Sequence, residues 1–252
     1  FAFGLSGGRN MPILATRGCP YQCTFCSSPS MWTTRYIMRK PEEIVDEIEW
    51  LKQEYKASSF EFFDLTAIIK RTWIFEFCAE LKKRKLEDIT WQLPVGTRSE
   101  SLDKETLQAL YDTGCRFIKY APESGSEKSL AMIKKRVKID RLNKSVKAAN
   151  KIGHTTSLNF IIGFPHETVI DCLKTIFFGI YSAIRFGPYD INYAVFVPYP
   201  GSELFESLRK KKKIEINDKY FESLHMQFDI ATTESYCENV SGKMLSFLRL
   251  LG

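Results

Sequence analysis

Three cysteines fall within eight residues, Cys19-Pro20-Tyr21-Gln22-Cys23-Thr24-Phe25-Cys26, spaced Cys-x3-Cys-x2-Cys. They follow a short apolar run, Ile13-Leu14-Ala15-Thr16, and the turn signal Arg17-Gly18. A first strand that ends in such a turn delivers the thiols at its C-terminal end. Thiolates are soft ligands suited to zinc or to iron–sulfur clusters. Structural zinc commonly takes four ligands, often in paired motifs, and only three lie together here. His154, His166 and Cys115 are candidates for a fourth, but none has a recognisable pairing. Three thiolates on a cubane cluster leave one iron open, and an open iron binds a substrate or cofactor. On spacing alone, zinc and iron–sulfur both stay open.

The remaining composition narrows the setting. Seven cysteines, an odd number with three clustered, do not form a secreted disulfide framework. They read as metal binding in a reducing compartment. No signal peptide and no apolar run near about eighteen residues is visible, so a cytoplasmic location without a membrane span is expected. The chain starts at Phe1 rather than Met, as a fragment or processed form would. Its 252 residues, 44% hydrophobic and 26% charged, suit one large globular domain or two ordinary ones. The net charge of +6 is partly local, with one run at Arg209-Lys210-Lys211-Lys212-Lys213. That run reads as a solvated helix end. Nucleic acid is not expected as its partner, because no aromatic interleaving accompanies it.

Along the chain, β-rich runs alternate with amphipathic stretches of helical length. Strands are predicted at Met11 to Thr16, Ser59 to Leu65, Ile89 to Val95, Arg116 to Ala121, Thr155 to Ile162 and Ile191 to Val197. Helices are predicted from Pro41, over Thr72 to Lys83, from Asp103 to near Gly114, and over Ser126 to Ile133. Further helices are predicted over Asp140 to Ile152, Thr168 to Ile184 and Ser202 to Lys210. From about Asn217 the rhythm fades, and only Gly242 to Leu251 looks helical again. Six βα steps in series argue for an all-parallel sheet with right-handed crossovers. A doubly wound sheet and a partial barrel both fit the pattern.

The wording Thr16-Arg17-Gly18-Cys19-Pro20-Tyr21-Gln22-Cys23-Thr24-Phe25-Cys26 resembles the signature of the radical S-adenosylmethionine superfamily. It looks most like members that follow a cobalamin-binding domain. The resemblance covers roughly residues 11 to 210. It implies an α/β partial (β/α)6 TIM-like barrel over 11–215, a linker at 1–10 and a short C-terminal extension at 216–252. It also implies that Cys19, Cys23 and Cys26 ligate three irons of a [4Fe-4S] cluster, whose fourth iron chelates S-adenosylmethionine. Phe25 would lie near the adenine, or simply pack beside the cluster. Phe62-Phe63-Asp64 ends the second strand, where relatives place groups that meet the methionine amine. Asp64 fits that role or a turn or cap role equally.

Later turns carry the resemblance further. Tyr120-Ala121-Pro122-Glu123-Ser124-Gly125-Ser126 resembles the family's (Glu/Gln)-Ser-Gly-Ser turn and places Glu123 at the methionine or ribose end of the cofactor. Ser124 or Ser126 could instead cap the next helix. Lys135 stands where relatives have a cation for the methionine carboxylate. Its neighbours Lys134 and Arg136 leave the register open, and an exposed basic helix end is the alternative. Asn159 through Thr168 resembles the fifth-strand segment. There Asn159 would bind ribose hydroxyls and Gly163 would let backbone approach the ligand. Glu167 reads as a helix N-terminal carboxylate rather than a catalytic group. Arg98 could bind substrate or cap its own loop.

The resemblance implies reductive cleavage of S-adenosylmethionine to a 5′-deoxyadenosyl radical that attacks a small organic substrate. Implied reactions are methyl transfer to unreactive carbon, ring closure or rearrangement, with cobalamin a frequent second cofactor held by a domain absent from this chain. An electron donor such as flavodoxin or ferredoxin is implied as partner. Two alternatives stand beside this. One is a methylthiotransferase or tRNA-modifying radical enzyme, which would carry a basic RNA-binding module after the barrel. The other is a non-enzymatic iron–sulfur or zinc-binding module, which would keep its metal without cleaving S-adenosylmethionine.

Overall fold

The computed structural model describes residues 8–66, 69–225 and 234–252. Most of the expected 1–10 linker, and part of the 216–252 extension, lie outside the described residues. The chain enters through β1 (Arg9–Ile13). A small antiparallel ribbon, β2 (Thr16–Arg17) with β3 (Ile37–Met38), brackets the cysteine loop and the short helix α1 (Ser28–Trp32). Next come α2 (Pro41–Tyr55), β4 (Ala57–Phe62), α3 (Arg71–Lys83), β5 (Thr90–Thr97) and α4 (Lys104–Asp112). They are followed by β6 (Cys115–Glu123), α5 (Glu127–Met132), α6 (Ile139–Ile152), β7 (Thr155–Ile162) and α7 (Val169–Phe186). The series closes with β8 (Asp190–Val195), α8 (Glu203–Lys210), α9 (Asp218–His225) and α10 (Gly242–Leu251).

Six strands form one sheet in the order β1-β4-β5-β6-β7-β8, every neighbouring pair parallel. This is the partial barrel, and the open alternative of a doubly wound order is excluded by strands that follow each other without a reversal. Helix starts follow local chemistry. Pro41 opens α2 with Glu42 and Glu43 in its first turn. Thr168 and Asp171 form a reciprocal capping box on α7. Asp103, Ser126, Ser202 and Ser241 cap α4, α5, α8 and α10.

The two faces of the sheet differ. The helix-facing side buries Phe60, Phe62, Trp91, Leu93, Ile118, Tyr120, Leu158 and Ile162. Against it α2 lays its stripe of Ile44, Val45, Ile48 and Leu51. Trp91 meets Phe62 and Phe77 with ring centroids 5.2 and 5.5 Å apart. Each such buried ring contributes about 2–3 kcal/mol through lost water contact. The lumen-facing side sets polar groups among apolar ones such as Phe117 and Ile161. Glu61 and Gln92 are buried there and hydrogen-bonded at 3.1 Å, and Lys119, Ser157, Asn159 and Asn192 follow toward the strand ends.

Several strand ends shift by a few residues from the sequence expectation, and one strand end and one helix are instructive. β1 ends at Ile13, not Thr16. Asp64 takes the amides of Ala15 and Thr16, so the chain leaves the sheet early. Helix α9 was not expected. It is short, and Tyr220 anchors it by burial and a 2.6 Å bond to the Pro198 carbonyl. α10 folds back on the barrel, burying Leu245 and Leu248 in the main core. Among the described residues no helix is long and apolar enough to cross a membrane.

Candidate active site

The cysteine loop is fixed from several sides. Gly18 turns the chain into it at φ +82°, where a Cβ would lie 2.0 Å from the Arg35 carbonyl oxygen, so only glycine fits. The Cys26 amide donates to the Cys23 carbonyl at 3.1 Å, closing a turn. The Thr24 amide donates to the Ile133 carbonyl at 3.0 Å, and the Leu204 amide to the Thr24 carbonyl at 2.9 Å. The loop is thus tied to the ends of α5 and α8. Arg98 lays its guanidinium 3.7 Å from the Tyr21 ring centroid. The same side chain donates to the Arg136 carbonyl and to Glu100, both at 2.6 Å. Phe25 tilts against Phe164 at 5.7 Å.

A cavity of about 560 Å³ opens at the C-terminal ends of the strands. Cys19, Cys23, Cys26, Phe25, Glu123, Lys135 and Asn159 all line it. Glu123 and Lys135 form an ion pair at 2.8 Å, with both side chains more than nine-tenths buried. Glu123 has φ +69°, a left-handed conformation that costs a non-glycine residue free energy. The β6–β7 register shifts between Tyr120 and Glu123. That irregularity re-aims the strand end into the cavity. Asn159 keeps its side-chain oxygen buried without a hydrogen-bond partner, in register beside Asn192 on β8. Such a buried acceptor is the kind of group a bound ligand satisfies. Burial pushes the thiols of Cys19 and Cys23 above their ordinary value. The nearby charges of Lys135 and Arg98 pull both the other way, toward the thiolate a metal needs.

Two expected cofactor residues are placed elsewhere. Asp64 is 1% exposed and does not line the cavity. Its carboxylate accepts from the Ala15 amide at 3.2 Å, the Thr16 hydroxyl at 2.5 Å and the Thr16 amide. Burial raises its carboxyl and these bonds oppose the rise. Asp64 therefore pins the entrance of the cysteine loop. Gly163, at φ +85°, approaches the α10 side chain Leu245 rather than the cavity, and an added Cβ would lie 2.7 Å from Leu245 Cδ1. Glu167 is fully buried and accepts from the Gly163 and Phe164 amides and the Ser129 hydroxyl. It closes the β7–α7 turn. Ser126 caps α5.

The candidates for a fourth metal ligand lie apart from the three cysteines. Cys115 is buried in the core, His154 bonds the Leu107 carbonyl, and His166 stacks on Phe164. None lines the cavity. Sequence reasoning missed Lys119, Asn192 and Tyr21, which do line it. A signal for the first existed in the alternation of Lys119, Ala121 and Glu123 along one face of β6. Tyr21 had none, because its partner Arg98 is distant in sequence.

The donor set bears on which metal group fits. A cluster gives each thiolate its own iron, so three thiols around one cavity suit it.

The parallel partial barrel thus carries three loop thiols at its strand ends with a buried charge pair beside them. The match to the radical SAM superfamily spans residues 13–179, and the chain belongs to that family. It is 31% identical over 197 residues to an uncharacterized methyltransferase of Pyrococcus horikoshii, covering 77% of this chain and 41% of that protein. It is 30% identical over 205 residues to the anaerobic magnesium-protoporphyrin IX monomethyl ester cyclase of Rubrivivax gelatinosus, covering 81% and 36%. Among solved structures, the radical S-adenosylmethionine methyltransferase TsrM of Kitasatospora setae, with cobalamin and a [4Fe-4S] cluster bound, matches with TM-score 0.69. That match has 17% identity over 81% of this chain and 37% of that one. This likeness shows the fold. The chain spans less than half the length of each of these proteins.

Proposed function

We propose that this chain is the S-adenosylmethionine-cleaving core of a radical enzyme that acts on a small organic substrate. Methyl transfer and ring closure are the reactions favoured, since curated relatives carry those two names. The observation that carries the reading is the meeting of Cys19, Cys23 and Cys26 with Glu123, Lys135 and Asn159 in one cavity. When bound by the three cysteines, a [4Fe-4S] cluster would supply the electron that splits the sulfonium and leaves a 5′-deoxyadenosyl radical.

The chain's own residues bind and orient. Lys135 offers an ammonium for the methionine carboxylate. Glu123 accepts from the amine or a ribose hydroxyl, and the two satisfy each other when no ligand separates them. Asn159 accepts from a ribose hydroxyl with its unpartnered oxygen. Ala121, Ala194, Ile161, Pro94 and Val95 form apolar wall that excludes water from the reacting groups. Asp64, Gly18 and Arg98 hold the loop in place. On this reading 11–215 is the barrel unit and 1–10 leads in from a preceding cobalamin-binding domain. A flavodoxin or ferredoxin in the cytoplasm supplies electrons.

Anaerobic reconstitution with iron and sulfide, followed by dithionite and S-adenosylmethionine, should yield 5′-deoxyadenosine. A cluster that forms without that product would sink the radical reading and leave a carrier. Independently of turnover, Asn159→Ala should weaken S-adenosylmethionine binding to the reconstituted chain, and unchanged affinity would refute the strand-end assignment.

A further inference from the structure

One side of this barrel is apolar where it meets water. Helix α7 buries Cys172, Thr175, Ile176, Gly179 and Ser182 against the barrel. Its opposite side carries Ile170, Phe177, Tyr181 and Ile184, all exposed. Spacings of seven, four and three place these four on one helical face. Helix α10 packs beside α7 and buries Leu245 and Leu248. It exposes Met244, Phe247, Leu250 and Leu251.

These eight side chains are 39–79% exposed, which amounts to roughly 800 Å² of largely apolar surface. Single exposed apolar residues are ordinary, but the largest patch on a monomer is typically about 300–600 Å². A helix that is apolar on two opposite sides is built to be covered on both.

The charges around the patch have one sign. Lys174 and Arg185 flank the α7 stripe, and Lys243 and Arg249 flank the α10 stripe. Asp171 is the one acid in either helix. It is buried, with its carboxylate on Thr168, Ser126 and Lys128. Glu234 and Glu238 precede α10, and Lys211 and Lys213 hold Glu238.

We propose that this two-helix face lies on a membrane surface that carries anionic lipid. Phe177, Phe247 and the aliphatic side chains enter the headgroup boundary, where burial of apolar area drives binding. The flanking cations meet lipid phosphates. Tyr181 joins an apolar ring to a polar tip, the form suited to that boundary. A second copy of this chain fits less well, because a two-fold contact through this face brings the same one-sign rim together from both sides. The inference goes beyond the radical reading and needs neither cluster nor S-adenosylmethionine.

The test uses the full chain with vesicles of phosphatidylcholine alone or mixed equally with phosphatidylglycerol. Flotation should recover the chain with the mixed vesicles and release it as salt rises. The variant Phe177→Ser/Ile184→Ser/Phe247→Ser/Leu250→Ser should bind at least about tenfold more weakly. All four side chains are more than half exposed, so its unfolding midpoint should stay at the wild-type value. A second variant, Lys174→Gln/Arg185→Gln/Lys243→Gln, leaves the apolar stripes intact and should also lose about tenfold on mixed vesicles. Neutralising the exposed Lys138, Arg141 and Lys144 of α6 with Gln should leave binding unchanged.

A wild type that does not float with the mixed vesicles would overturn the proposal. So would equal binding to phosphatidylcholine alone, or equal binding by both face variants. A wild type that sediments as a dimer, misses the vesicles and becomes monomeric in the serine variant would overturn it in favour of a second copy. Equal loss from the α6 variant would reduce the effect to net charge and overturn the assignment to this face.

Discussion

Asp64 and Glu123 are both carboxylates at the C-terminal ends of barrel strands, 1% and 7% exposed, and they do different things. Asp64 turns away from the cavity and binds backbone at the entrance of the cysteine loop. Glu123 turns into the cavity on a left-handed backbone and meets Lys135. The strand-end position is shared, so it cannot be what separates them. The separation comes from what lies within reach. Asp64 finds two amides that have left the sheet. Glu123 finds a buried cation and open space.

The contrast can be broken experimentally. The largest effect belongs to the cavity side. Cys23→Ala should abolish the visible absorbance of the reconstituted cluster, and its retention would refute the ligand assignment. On the loop side, Asp64→Ala strands the Ala15 and Thr16 amides without their acceptor and should destabilise the fold by roughly 3 kcal/mol in urea unfolding. A variant as stable as wild type, but defective in S-adenosylmethionine binding, would move Asp64 back to the cofactor.

A purely structural buried group sharpens the comparison through pH. His154 is 3% exposed, with Nε2 against the Leu107 carbonyl. Burial lowers its pKa from 6.5 to about 4. Below the ordinary value the unfolded chain takes up a proton that the folded ring refuses. Stability from this group is therefore full above about pH 6.5 and falls as pH drops toward 4, by up to about 3 kcal/mol. His154→Phe should flatten that slope in pH-dependent denaturation, and an unaltered slope would exclude His154 as its source.

Smaller effects separate packing from binding. Gly163→Ala forces a Cβ toward Leu245 at positive φ and should cost about 2 kcal/mol of stability in thermal unfolding. Adding Leu245→Ala should recover part of that loss. No recovery, with weakened cofactor binding, would return Gly163 to the cavity. The smallest expected effect is that of Glu123→Gln. It keeps the shape and removes the charge, so S-adenosylmethionine affinity should fall about tenfold, or about 1.4 kcal/mol. Calorimetry that detects a stability loss and no affinity change would make Glu123 the equivalent of Asp64.

Much of this was legible in the sequence because it is local. Thr155 to Ile162 emerges as a strand with the expected ends. Thr168 and Ser202 cap helices as their residue types dictate. The three cysteines that meet in the cavity lie within eight residues of each other. What was hidden depends on distant partners. Lys134, Lys135 and Arg136 are indistinguishable in sequence, yet Lys135 is buried against Glu123 while its neighbours are exposed. Gly163 looked like a ligand glycine because Leu245, its actual neighbour, lies far along the chain.

The sequence by itself determined the βα alternation, the helix caps and the clustering of three thiols in one short loop. These follow from periodicity and residue type within a few positions. Only the tertiary structure decided which carboxylate faces the cavity, which of three cations meets it, and which polar atoms wait there unpaired. Burial and hydrogen bonding are set by what the fold brings alongside a residue, and that is not written next to it in the chain.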